Sequence, residues 1–167
     1  QEITLGDHLL VGNVGWSNVA RSFDAVKLTY THDRGTLQLF YAKLEDENIS
    51  SGANNEYSNF MGVYESLKLN DTVTNLDLYL LSKNDHTVSG NTDIYSYGAR
   101  MKANVASLTV RGEVTMQKGT VAGVDQDSQS QFDIEVGRNF DGIKTYVSLE
   151  YFMASKDFDQ MYPTAHK

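Results

Sequence analysis

The sequence predicts an all-β fold, an antiparallel transmembrane β-barrel, and three observations support this prediction. Apolar and polar residues alternate with a period of two along most of the chain, as in strands that present one apolar face. Most of the alternating stretches are about ten residues or longer, whereas soluble strands average about five or six and a tilted membrane strand needs about nine to eleven. The connections alternate between short and long, which is typical of a barrel with short turns on one side of the membrane.

The alternation defines nine candidate strands, at residues 4–13, 23–32, 36–44, 58–69, 72–82, 93–103, 106–118, 130–139 and 142–153. In the clearest of them, Leu108, Val110 and Val114 alternate with Arg111 and Glu113. One face of that strand is therefore apolar and the other is charged, as expected between lipid and a polar interior.

Glu65 interrupts this pattern, because it shares a face with Met61 and Val63. A carboxylate that faces lipid in the middle of the membrane is costly. Either that strand is shifted along the membrane or the register of its alternation differs from the prediction.

The short connections are residues 32–35, 70–71, 103–106 and 139–142, and the long polar ones are residues 14–22, 45–57, 83–92 and 119–129. We expect the short turns to be periplasmic and the long loops to be extracellular. The predicted strand count is odd, whereas bacterial single-chain barrels are even-stranded, and lipid does not tolerate a sheet with two open edges. Residues 1–167 are therefore predicted to be a single barrel segment, an internal part of a longer chain; a complete chain would instead favour an eight-stranded barrel with a filled interior.

The composition excludes several classes of function. A net charge of -8 argues against a nucleic-acid partner, and the absence of cysteine excludes disulfides and thiolate chemistry. The four histidines are dispersed without zinc-site spacing, and no G-x-S-x-G motif gathers a catalytic triad. We therefore predict that the chain is not an enzyme and binds no cofactor or metal.

Two blocks of sequence carry a family resemblance: one comprises Gln1-Glu2, Gly6-Asp7, Trp16, Arg21 and Phe23-Asp24, and the other comprises Tyr162, Pro163, Thr164, His166 and Lys167. Together they resemble the alginate-export family of outer-membrane porins. The resemblance implies a monomeric barrel of about eighteen strands, of which this chain is an internal half. The chain departs from the family pattern at Ala20 and Ala165, where Gly is usual, and the resemblance does not name the solute.

Charged residues opposite the apolar face are the candidates for lining the pore: Lys27, Arg100, Lys102, Arg111, Glu113, Asp133, Glu135 and Glu150. Export of a polyuronate requires fixed positive charge in the lumen, and Arg100, Lys102 and Arg111 form the best basic stripe. Because both signs of charge are present, a cross-strand ladder of salt bridges that stiffens the wall is favoured over a solute-selective constriction.

Two other groups of residues have alternative interpretations. The acidic loop residues could bind calcium or bridge to lipopolysaccharide, but their spacing matches no calcium loop and favours a solvated surface; they are Glu45, Asp46, Glu47, Glu56, Asp125 and Asp127. Tyrosines could form belts at the membrane interfaces, which ordinary strand propensity explains almost as well; they are Tyr30, Tyr41, Tyr95, Tyr97 and Tyr151.

The resulting hypothesis is an outer-membrane channel for polar or anionic solutes, including oligosaccharides or polysaccharides. Its partners would be outer-membrane lipid and lipopolysaccharide, with envelope proteins as further candidates. The alternative is a structural barrel with a plugged lumen that anchors or scaffolds envelope partners. A soluble carbohydrate-binding β-sandwich is a third interpretation, and long strands disfavour it.

Overall fold

The computed structural model describes residues 2–12, 23–45, 57–87 and 90–163. Eight strands form one antiparallel sheet in which each strand pairs with its neighbour in sequence. The strands are β1 (Asp24–His32), β2 (Gly35–Glu45), β3 (Tyr57–Leu67), β4 (Val73–Thr87), β5 (Gly90–Val105), β6 (Leu108–Val121), β7 (Val124–Phe140) and β8 (Thr145–Ala154). A single 3-10 turn, Asp141–Ile143, joins β7 to β8. The predicted all-β antiparallel fold is confirmed, and we call this sheet the wall.

Within the described ranges, no helix has the length and apolar character needed to cross a membrane.

The predicted first strand, residues 4–13, is wrong. Residues 2–12, which we call the leading segment, lie across one face of the wall and join no strand ladder of the described chain. Gly6 and His8 both have positive φ, of 52° and 65°, so the segment bends back and the Leu5 amide donates to the Val11 carbonyl at 3.0 Å. In the described residues the sheet therefore has eight strands rather than nine, and the argument from an odd strand count no longer holds.

Two of the predicted long loops are also wrong. Strands β4 and β5 continue as far as Thr87 and Gly90, and Val121 pairs with Val124 across a tight turn. Ala122 and Gly123 both have positive φ at that turn, as a type I′ hairpin requires. The ends of these strands are polar and continue beyond the apolar stretch, so their composition predicted loops where the structure has strands. The predicted loop 14–22 and residues 46–56 of the predicted loop 45–57 lie outside the described residues, and the placement of loops on the extracellular side remains a prediction.

The two faces of the wall differ in chemistry. The outer face carries large exposed apolar side chains on every strand, among them Val26, Leu39, Val63, Leu80, Tyr97, Met116, Phe132 and Leu149. On this same face, Glu65 lies two positions before the end of β3, and His32 Nε2 is 2.8 Å from its Oε1. The predicted register is therefore correct, and the carboxylate is at the rim of the apolar face rather than at its middle.

The inner face is covered by the leading segment and by residues 155–163, which we call the trailing segment. The Tyr162 amide donates to the Leu10 carbonyl at 2.8 Å, and the Gly12 amide donates to the Tyr162 carbonyl at 2.9 Å. Between these segments and the wall lies an apolar cluster that includes Ile3, Leu5, Leu10, Val11, Phe23, Phe40, Phe60, Leu81, Ile94 and Met161. Burying each such large side chain contributes about 1.5–3 kcal/mol, so the inner layer packs as a core.

Candidate functional site: the charged inner face

The register of the wall aligns charged residues on the inner face of five strands, β4 to β8. One row runs Asp77, Arg100, Glu113 and Asp133 across β4 to β7. The next row runs Lys102, Arg111, Glu135 and Glu150 across β5 to β8. Because residues directly opposite in neighbouring antiparallel strands have Cβ atoms about 4.5–5.5 Å apart, the two rows form one cluster.

Arg100 is the buried cation of the first row. Its Nη1 lies 2.8 Å from Oδ2 of Asp77, and its Nε donates to Oδ2 of Asp7 at 2.6 Å. Arg100 thereby joins a wall strand to the leading segment. Such charge-assisted bonds contribute about 1.5–3 kcal/mol each.

Arg111 is the centre of the second row, where four carboxylates surround it. Its Nη2 lies 2.8 Å from oxygens of both Glu135 and Glu150 and 3.7 Å from Oδ2 of Asp133. Its Nη1 lies 3.2 Å from Oδ2 of Asp7. Acidic groups thus outnumber cations around both arginines.

Glu113 is buried and takes part in a hydrogen-bond chain with tyrosine. The Tyr79 hydroxyl donates to Glu113 Oε1 at 2.8 Å and is 2.6 Å from the Thr115 hydroxyl. The Tyr79 ring stacks on Tyr64 with centroids 5.9 Å apart and an interplanar angle of 6°. These contacts fix the carboxylate in front of the apolar cluster.

The predicted pore-lining residues divide into two groups. Arg100, Arg111, Glu113, Asp133, Glu135 and Glu150 come together in the cluster. Lys102 is exposed beside Arg111, and Lys27 is exposed on β1 opposite Phe40. The basic stripe is therefore compensated by acids at both arginines, and a role in lining a pore remains a prediction for all eight residues.

The predicted pore-lining set did not include Asp7, Asp77 and Tyr79, and Asp7 was named only as part of the family resemblance. Asp77 and Tyr79 alternate with exposed Leu78 and Leu80, so the period-two rule could have found them. Asp7 could not be found in that way, because it belongs to the bend that was predicted as a strand.

Aromatic rings bring the two sequence blocks of the family resemblance together. The Phe23 and Tyr162 rings meet edge to face at 5.4 Å, and Tyr162 meets Phe60 at 5.1 Å. Residues more than a hundred positions apart therefore share one aromatic cluster on the inner face. Of the remaining motif residues, Asp24 begins β1 and Pro163 follows Tyr162, whereas Trp16, Arg21, Thr164 and His166 lie outside the described residues.

Comparison with family models agrees with this arrangement. The model described as Alginate export matches residues 1–164. The chain belongs to the alginate export family. A search of curated proteins and a search of solved structures returned no match.

The match to the alginate export family confirms the family predicted from the sequence. It also bears on the location and the activity of the chain. The family is one of transport porins of the outer membrane rather than of enzymes. The exposed apolar face of the wall is the surface that such a location requires. The alginate export chain therefore has a charged inner face and an apolar outer face.

The trailing segment of this alginate export chain is held on the inner face by polar contacts. Lys83 Nζ lies 2.7 Å from Asp159 Oδ2. The side-chain amide of Gln117 donates to the Asp159 carbonyl at 2.6 Å and accepts from the Asp159 amide at 3.0 Å. The Gln117 side chain thus makes two hydrogen bonds to the backbone of Asp159, as a neighbouring strand would. These bonds fix the position of the trailing segment.

The remaining candidate residues form no metal site in the described ranges, where no group of three or more potential ligands was found. Asp125 and Asp127 are exposed on β7, while Asp46, Glu47 and Glu56 lie outside the described residues and Glu45 ends β2. His86 is 2.9 Å from Asp93 and stacks on Tyr57. The tyrosines Tyr30, Tyr41, Tyr95, Tyr97 and Tyr151 are exposed, and their role as an interfacial belt remains a prediction.

Proposed function

We propose that this chain forms part of the wall of an outer-membrane channel that passes polar solutes along its charged inner face. The supporting observation is the contrast between the faces of single strands. On β6, Val114 and Met116 are exposed on the outer face, while Glu113, Thr115 and Gln117 are buried on the inner one. A soluble protein would bury the apolar face, whereas a membrane channel presents it to lipid and faces its polar side inward.

The charge balance favours neutral or cationic polar solutes over polyanions. Around the arginines lie six carboxylates, against two guanidinium groups and the Lys102 ammonium group beside Arg111; the carboxylates are those of Asp7, Asp77, Glu113, Asp133, Glu135 and Glu150. Fixed charges in a narrow aqueous path raise the concentration of ions of the opposite sign. An anionic solute, including a uronate oligosaccharide, would bind the arginines only by displacing a carboxylate of the wall from them.

Reconstitution of the full-length protein into planar bilayers tests the proposal. We expect discrete conductance steps with a cation preference, measured as a reversal potential in a salt gradient. Glu135→Gln should weaken that preference, while Asp125→Asn on the exposed end of β7 serves as the matched control. Absence of conductance steps at any voltage, in the wild type and in every folded variant tested, would overturn the channel.

A second candidate function has its own supporting observation. The leading and trailing segments cover the inner face with an apolar cluster, as expected of a structural barrel that anchors envelope partners. A folded, silent protein in the bilayer experiment, together with saturable binding of envelope proteins to detergent-solubilised material, would favour this scaffold over the channel.

The proposed partner of the outer face is the lipid bilayer, with lipopolysaccharide in its outer leaflet. Orientation is part of this proposal: the ends of β4 to β7 near Thr87 and Val121 would be extracellular. An epitope inserted at Gly123, an exposed turn position, should be detected on intact cells. An epitope inserted at Asp71, in a turn at the opposite end, should be detected only after the outer membrane is permeabilised.

A further inference from the structure

We propose that the leading segment, residues 2–12, is a displaceable lid over the charged cluster and that Asp7 is its latch. The consequence for transport rests on the proposed channel, because a lid matters only where there is a path to close. The proposal itself concerns how the segment is held, and four features of the structure support it.

The first feature is the geometry of the latch. One oxygen of Asp7, Oδ2, lies 2.6 Å from Arg100 Nε and 3.2 Å from Arg111 Nη1. The carboxylate thus bridges the two guanidinium groups of the inner face. Gly6 and His8 flank it with positive φ, a conformation that non-glycine residues such as His8 seldom adopt. The bend therefore projects one charged side chain onto the wall.

The second feature is that the wall does not need the latch. Arg100 keeps Asp77 at 2.8 Å, and Arg111 keeps Glu135 and Glu150, both at 2.8 Å. When Asp7 leaves, neither arginine becomes a buried charge without a counter-ion, which is the outcome that makes breaking a buried pair so costly.

The third feature is electrostatic. The Asp7 carboxylate enters a cluster in which acids of the wall already outnumber arginines. Repulsion from Asp133, Glu135 and Glu150 offsets part of its attraction to the two cations. Docking of the latch is therefore more finely balanced than its short contacts suggest.

The fourth feature is the backbone. The backbone hydrogen bonds of the leading segment include one within it, from Leu5 to Val11, and two with Tyr162 of the trailing segment. In the described part of the chain, the strand ladders of the wall do not include residues 2–12. Lifting the lid therefore breaks no ladder of the wall. Buried apolar side chains such as Ile3 and Leu9 keep the closed state dominant at rest.

A single engineered thiol can report the opening, because this chain has no cysteine. Leu9, which is 1% exposed, is replaced by cysteine in the full-length protein, after removal of any cysteine elsewhere. The rate of its modification by a water-soluble maleimide is then measured in liposomes. Labelling proceeds in proportion to the open population when opening and closing are fast. Ile3→Cys is the second probe if Leu9→Cys fails to fold.

The latch is tested with Asp7→Asn, and Glu150→Gln is the matched control. Each substitution removes one carboxylate from Arg111, but only Asp7 belongs to the lid. We expect Asp7→Asn to accelerate labelling by at least about tenfold, since a charge-assisted bond is lost, and Glu150→Gln to change it by less than about twofold. Resistance of the folded protein to unfolding by detergent is checked for each variant.

Unchanged labelling in Asp7→Asn, or equal acceleration in both variants, would overturn the latch. Bilayer recordings on the same proteins separate this inference from the proposed function. Accelerated labelling without conductance in any variant supports the lid and overturns the channel. Conductance steps with labelling that is identical in all three proteins support the channel and overturn the lid.

Discussion

Arg100 and Asp77 form an ion pair across neighbouring strands, with Arg100 Nη1 2.8 Å from Asp77 Oδ2. Both residues are nearly inaccessible, at 8% and 2% exposure. The Asp77 carboxylate also accepts from the Asn75 amide at 2.6 Å. A buried pair of this kind is costly to break by removing one partner, so it is a sensitive test of the inner face.

We predict that Asp77→Ala lowers the free energy of unfolding by about 2–4 kcal/mol, because Arg100 keeps only Asp7. Urea unfolding of the full-length protein in lipid vesicles, followed by tryptophan fluorescence, measures this. Asp125→Ala is the control, since Asp125 is exposed near the start of β7. It should change stability by less than about 0.5 kcal/mol. Equal effects of the two substitutions would contradict the described pairing.

Gly98 gives a prediction about close packing on the inner face. A Cβ atom there would lie 2.5 Å from the Tyr79 hydroxyl and 2.4 Å from the Val114 carbonyl oxygen. We expect Gly98→Ala to push Tyr79 away from Glu113 and to cost about 1–3 kcal/mol. Gly112→Ala is the control, on the outer face of the adjacent strand, since the nearest atom to its Cβ would be 3.8 Å away. The same unfolding assay should find the control close to wild type.

Phe60 gives a prediction about the link between the two family blocks. It is fully buried, and its ring lies 5.0 Å from Phe40 and 5.1 Å from Tyr162. Phe60→Ala should lower the free energy of unfolding by about 3–5 kcal/mol. Phe140→Ala, at the exposed end of β7, should cost much less. If both variants unfold at the same urea concentration, the aromatic cluster does not hold the trailing segment.

The outer face gives a prediction that only a membrane protein fulfils. Leu80 is exposed on β4, and Leu69 is exposed in the turn before it. Leu80→Arg should cost about 2–4 kcal/mol in lipid, whereas Leu69→Arg near the interface should cost about 0–1 kcal/mol. Folding yields in vesicles, compared for the two variants, measure this difference. Comparable yields would mean that Leu80 does not face the bilayer.

Several sequence predictions agree with the structure because they follow from local periodicity. In a strand, successive side chains point to opposite faces, so the opposition of Val114 and Met116 to Glu113 could be read directly. The same rule placed Glu65 on the apolar face, and only the tertiary pairing with His32 showed that it lies at the rim. The predicted ladder of salt bridges is close to the observed pairing of Arg111 with Glu135 and Glu150.

The leading segment marks where that reasoning failed. Its apolar residues were compatible with a strand, but Gly6 and His8 adopt positive φ and bend it onto the inner face. The short turn Ala122-Gly123 was not predicted, because the polar strand ends around it are indistinguishable from a loop by composition.

The sequence by itself determined the fold class, the two chemically different faces of the wall and the family of this protein, because these depend on a period of two and on local motifs. Only the tertiary structure decided that the Arg100 and Arg111 charges are compensated and that Asp7 supplies part of the compensation. The physical reason is that Asp7 and Arg100 are 93 positions apart. Contacts at such a separation depend on where the chain bends, and a pattern of alternating residues carries no information about that.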